Sequence, residues 1–196
     1  MTRFVYLHGF NSGYDPEHPK INILSELGVV SGITYNTYGT YDQILCELRS
    51  KIEYSDDLVL IGTSLGGYWA AKLASVLKVP SVIINPCYDP RKLLMNYEGV
   101  MLENYKTGKS DWLSTIAVHS YDGRDLNSDT DESYYKPLVL LDAGDEIISY
   151  RENQEALVGF PMKTFKGGSH IFDHMEQSLD EIKSYIRNCN LVQNID

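Results

Sequence analysis

Short apolar runs, rich in valine, isoleucine and leucine, alternate along the chain with amphipathic stretches. Three of these runs are continuous, LVLIG, SVIIN and PLVLLDA. Continuous runs of this length are typical of strands that are buried on both faces, as in a parallel sheet covered by helices. Together with three weaker patterns, they predict six strands, at residues 4–10, 33–38, 58–62, 81–85, 137–143 and 162–168.

The stretches between these runs predict helices at residues 20–27, 41–53, 65–78, 150–158 and 171–188. The last stretch carries an apolar stripe at helical spacing. Alternating strands and helices predict an α/β fold, here a three-layer sandwich with a mainly parallel central sheet and right-handed crossovers. With 196 residues and no internal repeat or low-complexity linker, the chain is expected to form a single domain over residues 1–196.

Residues 86–136 interrupt this alternation with a segment that is longer than a usual connection between strands. The segment contains Trp112, several tyrosines and an acidic end. One interpretation is an irregular surface excursion with one or two helices. The other is a short lid over a site at the carboxyl edge of the sheet, because long insertions in such folds are often functional.

Composition and charge exclude several classes of partner. The formal net charge is −10 and no basic cluster occurs, so a nucleic acid is not expected as a partner. No apolar run approaches the roughly 18 residues that span a bilayer, and the N-terminus lacks the pattern of a signal peptide. The three scattered cysteines disfavour a disulfide framework and a cysteine-type zinc site, so we expect a cytoplasmic protein without a metal.

A Gly-x-Ser-x-Gly sequence, from Gly62 to Gly66 with Ser64 at its centre, lies between a predicted strand and a predicted helix. In this context the pattern is typical of a nucleophile elbow, a tight turn that exposes a serine hydroxyl at the carboxyl edge of a sheet. The small residues are needed because bulky side chains would collide with the strand and the helix. A glycine-rich turn with an incidental serine is the alternative.

A serine nucleophile needs a histidine base, and five histidines are available. His170 follows the last predicted strand and directly precedes the last predicted helix, which brings it to the same edge as Ser64. His174 falls within that predicted helix and is interpreted as a helix-face residue. We therefore predict that His170 is the base.

The carboxylate that orients the base is expected between Ser64 and His170 in the chain. Asp142 and Asp145 both follow the buried strand at 137–143. Asp142 is expected to end that strand and to serve local hydrogen bonds. Asp145 lies beyond the following turn, from which its carboxylate could fold back toward His170, so Asp145 is preferred as the acid.

Two backbone N–H groups are candidate donors to the oxyanion that forms during acyl transfer. The first is that of Leu65, which follows the nucleophile and begins a helix. The second is that of Phe10, in the loop after the first strand. His8 is expected to support this loop by hydrogen bonds, and Cys87 is expected to have a packing role.

The segments YLHGFNS, GTSLGGYWA, INP, GDEIISY and GGSH occur in the order and spacing of the α/β-hydrolase superfamily. More narrowly, the chain resembles the small bacterial YqiA-like esterases over nearly its whole length. The resemblance implies that Ser64, Asp145 and His170 are nucleophile, acid and base, with Phe10 and Leu65 as oxyanion donors. It also implies esterase or thioesterase activity on acyl substrates without a cofactor.

Two functions, which belong to different classes, are compatible with the sequence. The first is a serine hydrolase that cleaves esters or thioesters of small acyl groups through an acyl-enzyme. Small acyl groups are expected because the short chain and the modest insertion leave little material for a long acyl tunnel. The second is a non-catalytic binding or signalling protein on the same fold. The sequence favours the enzyme because it contains a full serine, aspartate and histidine set. It does not fix the oligomeric state.

Overall fold

The computed structural model of the chain describes residues 1–127 and 135–193. Its strands are β1 (Arg3–Leu7), β2 (Val29–Ile33), β3 (Leu58–Thr63), β4 (Ser81–Ile84), β5 (Met101–Glu103), β6 (Ser110–Trp112), β7 (Leu138–Asp142) and β8 (Met162–Phe165). Its helices are α1 (Pro19–Leu24), α2 (Tyr41–Lys51), α3 (Leu65–Leu77), α4 (Pro90–Leu94), α5 (Thr115–His119), α6 (Tyr150–Ala156) and α7 (Leu179–Gln193), with 3₁₀ turns at Met95–Tyr97 and Glu176–Ser178.

Six strands form one parallel sheet in the order β2-β1-β3-β4-β7-β8. Strand β3 is fully buried because both of its faces are covered. Leu60 on one face belongs to the same buried cluster as Trp69 of α3, and Ile61 on the other face belongs to the cluster that contains Ile182 of α7. The predicted three-layer α/β sandwich is therefore confirmed.

The second strand lies earlier in the chain than the sequence predicted. The prediction was residues 33–38, whereas the strand that pairs with β1 is Val29–Ile33. Tyr35 and Thr37 are buried and alternate with exposed residues, which produces a strand-like pattern. They lie beyond the carboxyl end of β1, where no neighbouring strand is available to pair with them.

The last helix begins later than predicted. The apolar stripe predicted a helix at 171–188, but residues 169–175 form a loop and α7 begins at Leu179 after a 3₁₀ turn. The Asp142 carboxylate accepts hydrogen bonds from the backbone N–H groups of Ser169 (3.2 Å) and Asp173 (2.8 Å). These bonds hold the segment as a loop, so both His170 and His174 lie outside the helix.

The segment predicted as an insertion contains α4, α5 and a two-stranded antiparallel hairpin of β5 and β6. Residues 128–134 of it lie outside the described residues. The hairpin is bound to the loop after β1, because Asn104 Nδ2 donates to the Ser12 carbonyl (2.9 Å) and the Tyr105 hydroxyl donates to Ser12 Oγ (2.6 Å). None of the described helices is both long and apolar enough to cross a membrane.

Candidate active site

Ser64 lies at the turn between the fully buried strand β3 and helix α3. Its φ of 58° and ψ of −125° are strained for a residue with a side chain, which is common at functional sites. The turn is held by the neighbouring chain, because the Ser64 N–H donates to the Ile84 carbonyl and the Cys87 N–H donates to the Ser64 carbonyl, both at 3.0 Å. Ser64 therefore has the strained strand–turn–helix position that the sequence predicted.

Gly66 shows why this turn requires a residue without a side chain. A Cβ atom there would lie 2.0 Å from the Leu7 carbonyl oxygen and 2.5 Å from that of His8. Both oxygens belong to the backbone and cannot move aside cheaply. The absence of a Cβ lets the start of α3 pack directly on the end of β1, so that the two chain segments meet beside Ser64.

Asp145 and His170 form a close pair at the same edge of the sheet. His170 Nδ1 lies 2.9 Å from Asp145 Oδ2 and 3.0 Å from Oδ1. The Asp145 side chain is almost fully buried, and its Oδ1 also accepts the N–H groups of Ile147 and Ile148. Since an ionised carboxylate only accepts, Nδ1 carries the proton of the neutral ring and Nε2 carries the lone pair.

Asp142 and His174 form a second pair that the sequence interpretation missed. His174 Nδ1 lies 2.7 Å from the fully buried Asp142 Oδ1, and the His174 ring stacks on Phe165. The interpretation of His174 as a helix-face residue is therefore wrong. The carboxylate also excludes any side chain at Gly168, where φ is +75° and a Cβ would lie 1.9 Å from Asp142 Oδ2.

Asn85 connects the end of β7 to the loop after β8 through side-chain hydrogen bonds. Its Nδ2 donates to the carbonyls of Ser169 (2.9 Å) and His170 (3.2 Å), and its Oδ1 accepts the Asp142 N–H at 2.8 Å. Asn85 is buried and has a positive φ of 40°. A buried, hydrogen-bonded asparagine in this strained conformation fixes the position of the loop that carries His170.

Ser64 and His170 line the same cavity, whose volume is about 400 Å³. Phe10, from the loop after β1, also lines it. The predicted insertion forms another part of the wall, through Leu93, Tyr97, Tyr105 and Lys106. The cavity therefore brings together the predicted nucleophile, the predicted base and the segment that was interpreted as a lid.

The predicted oxyanion donors are the backbone N–H groups of Phe10 and Leu65. Within residues 1–127 and 135–193, neither group donates a hydrogen bond to another protein atom. Leu65 is fully buried at the first turn of α3. A buried N–H group without a protein partner, as at Leu65, is rare in folded proteins.

His8 has a structural role in the wall of this cavity. Its Nδ1 donates to the Gly9 carbonyl (2.8 Å) and its Nε2 accepts the Tyr35 N–H (3.2 Å). Burial lowers the pKa of His8 to about 4, so the ring is neutral near pH 7. The expected support of the loop is confirmed.

Cys87 is a buried thiol outside the cavity that Ser64 lines. Burial raises the pKa of the Cys87 thiol, which keeps it in the protonated, unreactive form and agrees with a packing role. In the part of the chain that the structure describes, no group of three histidine, cysteine or acidic side chains could hold a metal ion.

The chain matches one known protein family over most of its length. The model of the "Uncharacterised protein family (UPF0227)" matches residues 3–187. The chain belongs to the UPF0227 family. One curated relative, the UPF0227 protein YcfP of Escherichia coli O9:H4, is 26% identical over 189 residues, which cover 92% of this chain and 97% of the relative.

Solved structures share the fold. Est1E from Butyrivibrio proteoclasticus superposes with a TM-score of 0.73 at 17% identity, over 97% of this chain and 88% of that one. The monoacylglycerol lipase of Paleococcus ferrophilus gives 0.71 at 17% identity, over 95% and 94%. The resemblance to the α/β-hydrolase superfamily and its YqiA-like members is thus confirmed. The roles of Ser64, Asp145, His170, Phe10 and Leu65 stay predictions.

Proposed function

We propose that this protein is a serine hydrolase that cleaves carboxylic esters of small acyl groups through an acyl-enzyme intermediate. The observation that carries the proposal is the pair of Asp145 and His170, whose imidazole lines the same cavity as the strained Ser64. The esterases and lipases among proteins of the same fold support this reaction class. Thioesters, which react through the same steps, are included in the proposal.

In the first step, Ser64 Oγ attacks the carbonyl carbon of the ester and His170 Nε2 takes the hydroxyl proton. Asp145 holds Nδ1–H in place and stabilises the imidazolium that forms. The imidazolium then gives its proton to the leaving alkoxide, so that an alcohol departs and the acyl group stays on Ser64. Water, activated by the same nitrogen, attacks the acyl-enzyme and releases the acid.

The two unpartnered N–H groups of Phe10 and Leu65 are proposed to stabilise the oxyanion of each tetrahedral intermediate. A pair of fixed backbone donors suits this role because their dipoles need no reorganisation as the charge develops. The loss of one such donor typically costs about 10²- to 10³-fold in kcat.

The insertion is proposed to act as a cover for the bound acyl group. Leu93 and Tyr97 line the cavity, and the Tyr97 ring lies 5.4 Å from that of Phe10. A cavity of about 400 Å³ is at the small end of the range for small-molecule sites. This volume supports a preference for short acyl chains.

Turnover of p-nitrophenyl butyrate, together with a butyryl thioester, tests the proposal. We expect hydrolysis by the wild-type protein and a loss of at least about 10⁴-fold in Ser64→Ala, by analogy with other serine hydrolases. Cys87→Ala is the matched control, because this thiol lies after the neighbouring strand but outside the cavity. Activity in Ser64→Ala equal to that of wild type would support a non-catalytic binding protein whose apparent turnover comes from elsewhere.

A further inference from the structure

The charge of the cavity differs from that of the whole chain. The chain carries a formal net charge of −10. Among the described residues that line the cavity, however, two are lysines, Lys20 and Lys106, and one, Asp15, is a carboxylate. An acidic protein therefore presents a positively charged cavity beside its predicted nucleophile.

One of the two lysines is neutralised. Lys106 Nζ lies 2.6 Å from Asp15 Oδ2, and this hydrogen bond is the main reason that the pKa of Asp15 lies below its usual range. Asp15 Oδ1 accepts the Glu17 N–H in addition. Among the described residues that line the cavity, the one carboxylate is therefore already paired, and the positive charge of Lys20 remains.

Lys20 forms no ion pair with a carboxylate of residues 1–127 or 135–193. Its ammonium lies 3.5 Å from Thr63 Oγ1, the side-chain oxygen of the residue before Ser64, and Thr63 Oγ1 in turn bonds the Tyr6 hydroxyl at 2.8 Å. An ammonium has three donors, and this one long bond leaves two of them for a ligand. Lys20 is also half-buried, which weakens screening by solvent.

The neighbouring His18 reports the same positive environment. His18 caps α1, where its Nδ1 accepts the Lys20 N–H at 3.2 Å. Burial lowers the pKa of His18, the charge of Lys20 lowers it further, and that of Lys106 adds a smaller effect in the same direction. The nearby Asp15 opposes these effects without reversing them.

We propose that Lys20 is the specificity-determining residue of this cavity and that the preferred substrates are short-chain esters that carry a carboxylate group. This inference rests on the proposed function and names its substrate class. Lys20 binds the carboxylate while the ester carbonyl lies at Ser64. Apolar side chains that line the same cavity, among them Ile21, Leu93 and Ile171, contact the short carbon chain between the two groups.

A carboxylate fits this site better than a phosphate. A single unpaired ammonium matches a single negative charge, and a lysine acts as a point charge. Phosphate carries more charge and is usually held by several donors, such as a bidentate arginine or a row of backbone N–H groups. Among the residues that line the described cavity there is no arginine.

Two matched pairs of esters test the proposal. In the first pair, the mono-p-nitrophenyl ester of adipic acid is compared with its methyl-capped, uncharged analogue. In the second pair, 3-acetoxybenzoate is compared with methyl 3-acetoxybenzoate, which places the carboxylate on the leaving group. The measured quantity is the ratio of kcat/KM for the charged ester to that for the uncharged one, after subtraction of spontaneous hydrolysis.

For at least one pair, we expect a wild-type ratio above one that falls as ionic strength rises. The ratio should fall by about 10- to 100-fold in Lys20→Met, as expected when a charged hydrogen bond is lost. Lys20→Arg, which keeps the charge, should retain most of the ratio. Lys183→Met makes the same change of net charge on the exposed face of α7, and its ratio should equal that of wild type. Melting temperatures confirm that each variant is folded.

A ratio in Lys20→Met equal to that of wild type for both pairs would overturn the proposal. So would a preference of the wild-type protein for the uncharged ester in both pairs. If no ester is hydrolysed, the proposed function fails, and calorimetry then tests the anion site separately. In that case monomethyl adipate should bind the wild-type protein more tightly than Lys20→Met, and equal affinities, or binding of inorganic phosphate instead, would contradict the role of Lys20.

Discussion

The Asp142 carboxylate forms a 2.7 Å hydrogen bond with Nδ1 of His174, four residues after the histidine that pairs with Asp145. The end of β7, the turn after it and the loop after β8 thus contain two aspartate–histidine pairs. The pairs differ in their surroundings: Asp145 pairs with a histidine that lines the cavity with Ser64, whereas His174 stacks on Phe165. This difference supports the proposed catalytic role of the Asp145–His170 pair, whereas the Asp142–His174 pair holds the loop.

The first prediction separates the two aspartates. Asp145→Asn should keep the fold but lower turnover by about 10⁴-fold, because the amide no longer favours the imidazole tautomer with its lone pair on Nε2. Asp142→Asn should change stability more than turnover, since its carboxylate accepts hydrogen bonds from Ser169, Asp173 and His174. The free energy of unfolding should fall by about 3 kcal/mol. Turnover and urea unfolding of both variants provide the measurement.

An inactive but fully stable Asp142→Asn variant would show that the wrong acid was chosen. Asp173→Asn is the matched control, because the backbone N–H of Asp173 is bonded in the loop whereas its side chain is exposed. This variant should retain both turnover and stability.

The second prediction concerns the support of the His170 loop by Asn85. Asn85→Ala removes hydrogen bonds to the Ser169 and His170 carbonyls and from the Asp142 N–H, and it should lower the free energy of unfolding by about 2–3 kcal/mol. Because a small displacement of the base costs up to about 10²-fold in rate, kcat should fall more than KM rises. A variant with a raised KM and an unchanged kcat would indicate that Asn85 supports substrate binding instead.

The third prediction concerns the length of the acyl chain. A cavity of about 400 Å³ should accept acetyl and butyryl groups but not the full length of a palmitoyl group. Turnover of the p-nitrophenyl esters should therefore fall from butyrate to palmitate. Maximal kcat/KM on palmitate would contradict this expectation and would imply that the insertion moves away to open a longer channel.

The fourth prediction concerns stability at low pH. The folded-state pKa of His8 is about 4, against an ordinary value of 6.5. At a pH between these two values, His8 is therefore protonated in the unfolded chain and neutral in the folded protein. Stability from this group is therefore present above pH 6.5 and is lost as pH falls toward 4. Between pH 7 and pH 5 the loss should be about 2 kcal/mol. Urea unfolding of wild type and of His8→Gln, which does not titrate, should show a shallower pH dependence in the variant, and equal slopes would contradict the assignment.

The sequence predicted those parts of the molecule that depend on local patterns. Buried runs predicted β3, β4 and β7, and the glycines around Ser64 predicted a strained turn there. The pairing of Asp145 with His170 could be anticipated from chain order and the turn after β7. Each of these signals lies within a few residues of the feature that it predicts.

Other features depend on contacts between distant segments and could not be predicted in this way. The loop at 169–175 contains part of an apolar stripe that favours a helix. However, two of its backbone N–H groups donate hydrogen bonds to the carboxylate of Asp142, at the end of β7. The unpaired charge of Lys20 depends on the pairing of Lys106 with Asp15, which are separated by 91 residues. No periodicity or motif indicates either relationship.

Acylation of Ser64 is the central step of the proposed mechanism. Treatment with a fluorophosphonate probe, digestion and mass spectrometry of the peptides identify the modified residue in a single measurement. We predict one phosphonyl adduct, on the peptide that contains Ser64, in the wild-type protein and in Cys87→Ala, and no adduct in Ser64→Ala. An unmodified wild-type protein, or an adduct that persists in folded Ser64→Ala, would contradict the proposed catalytic role of Ser64.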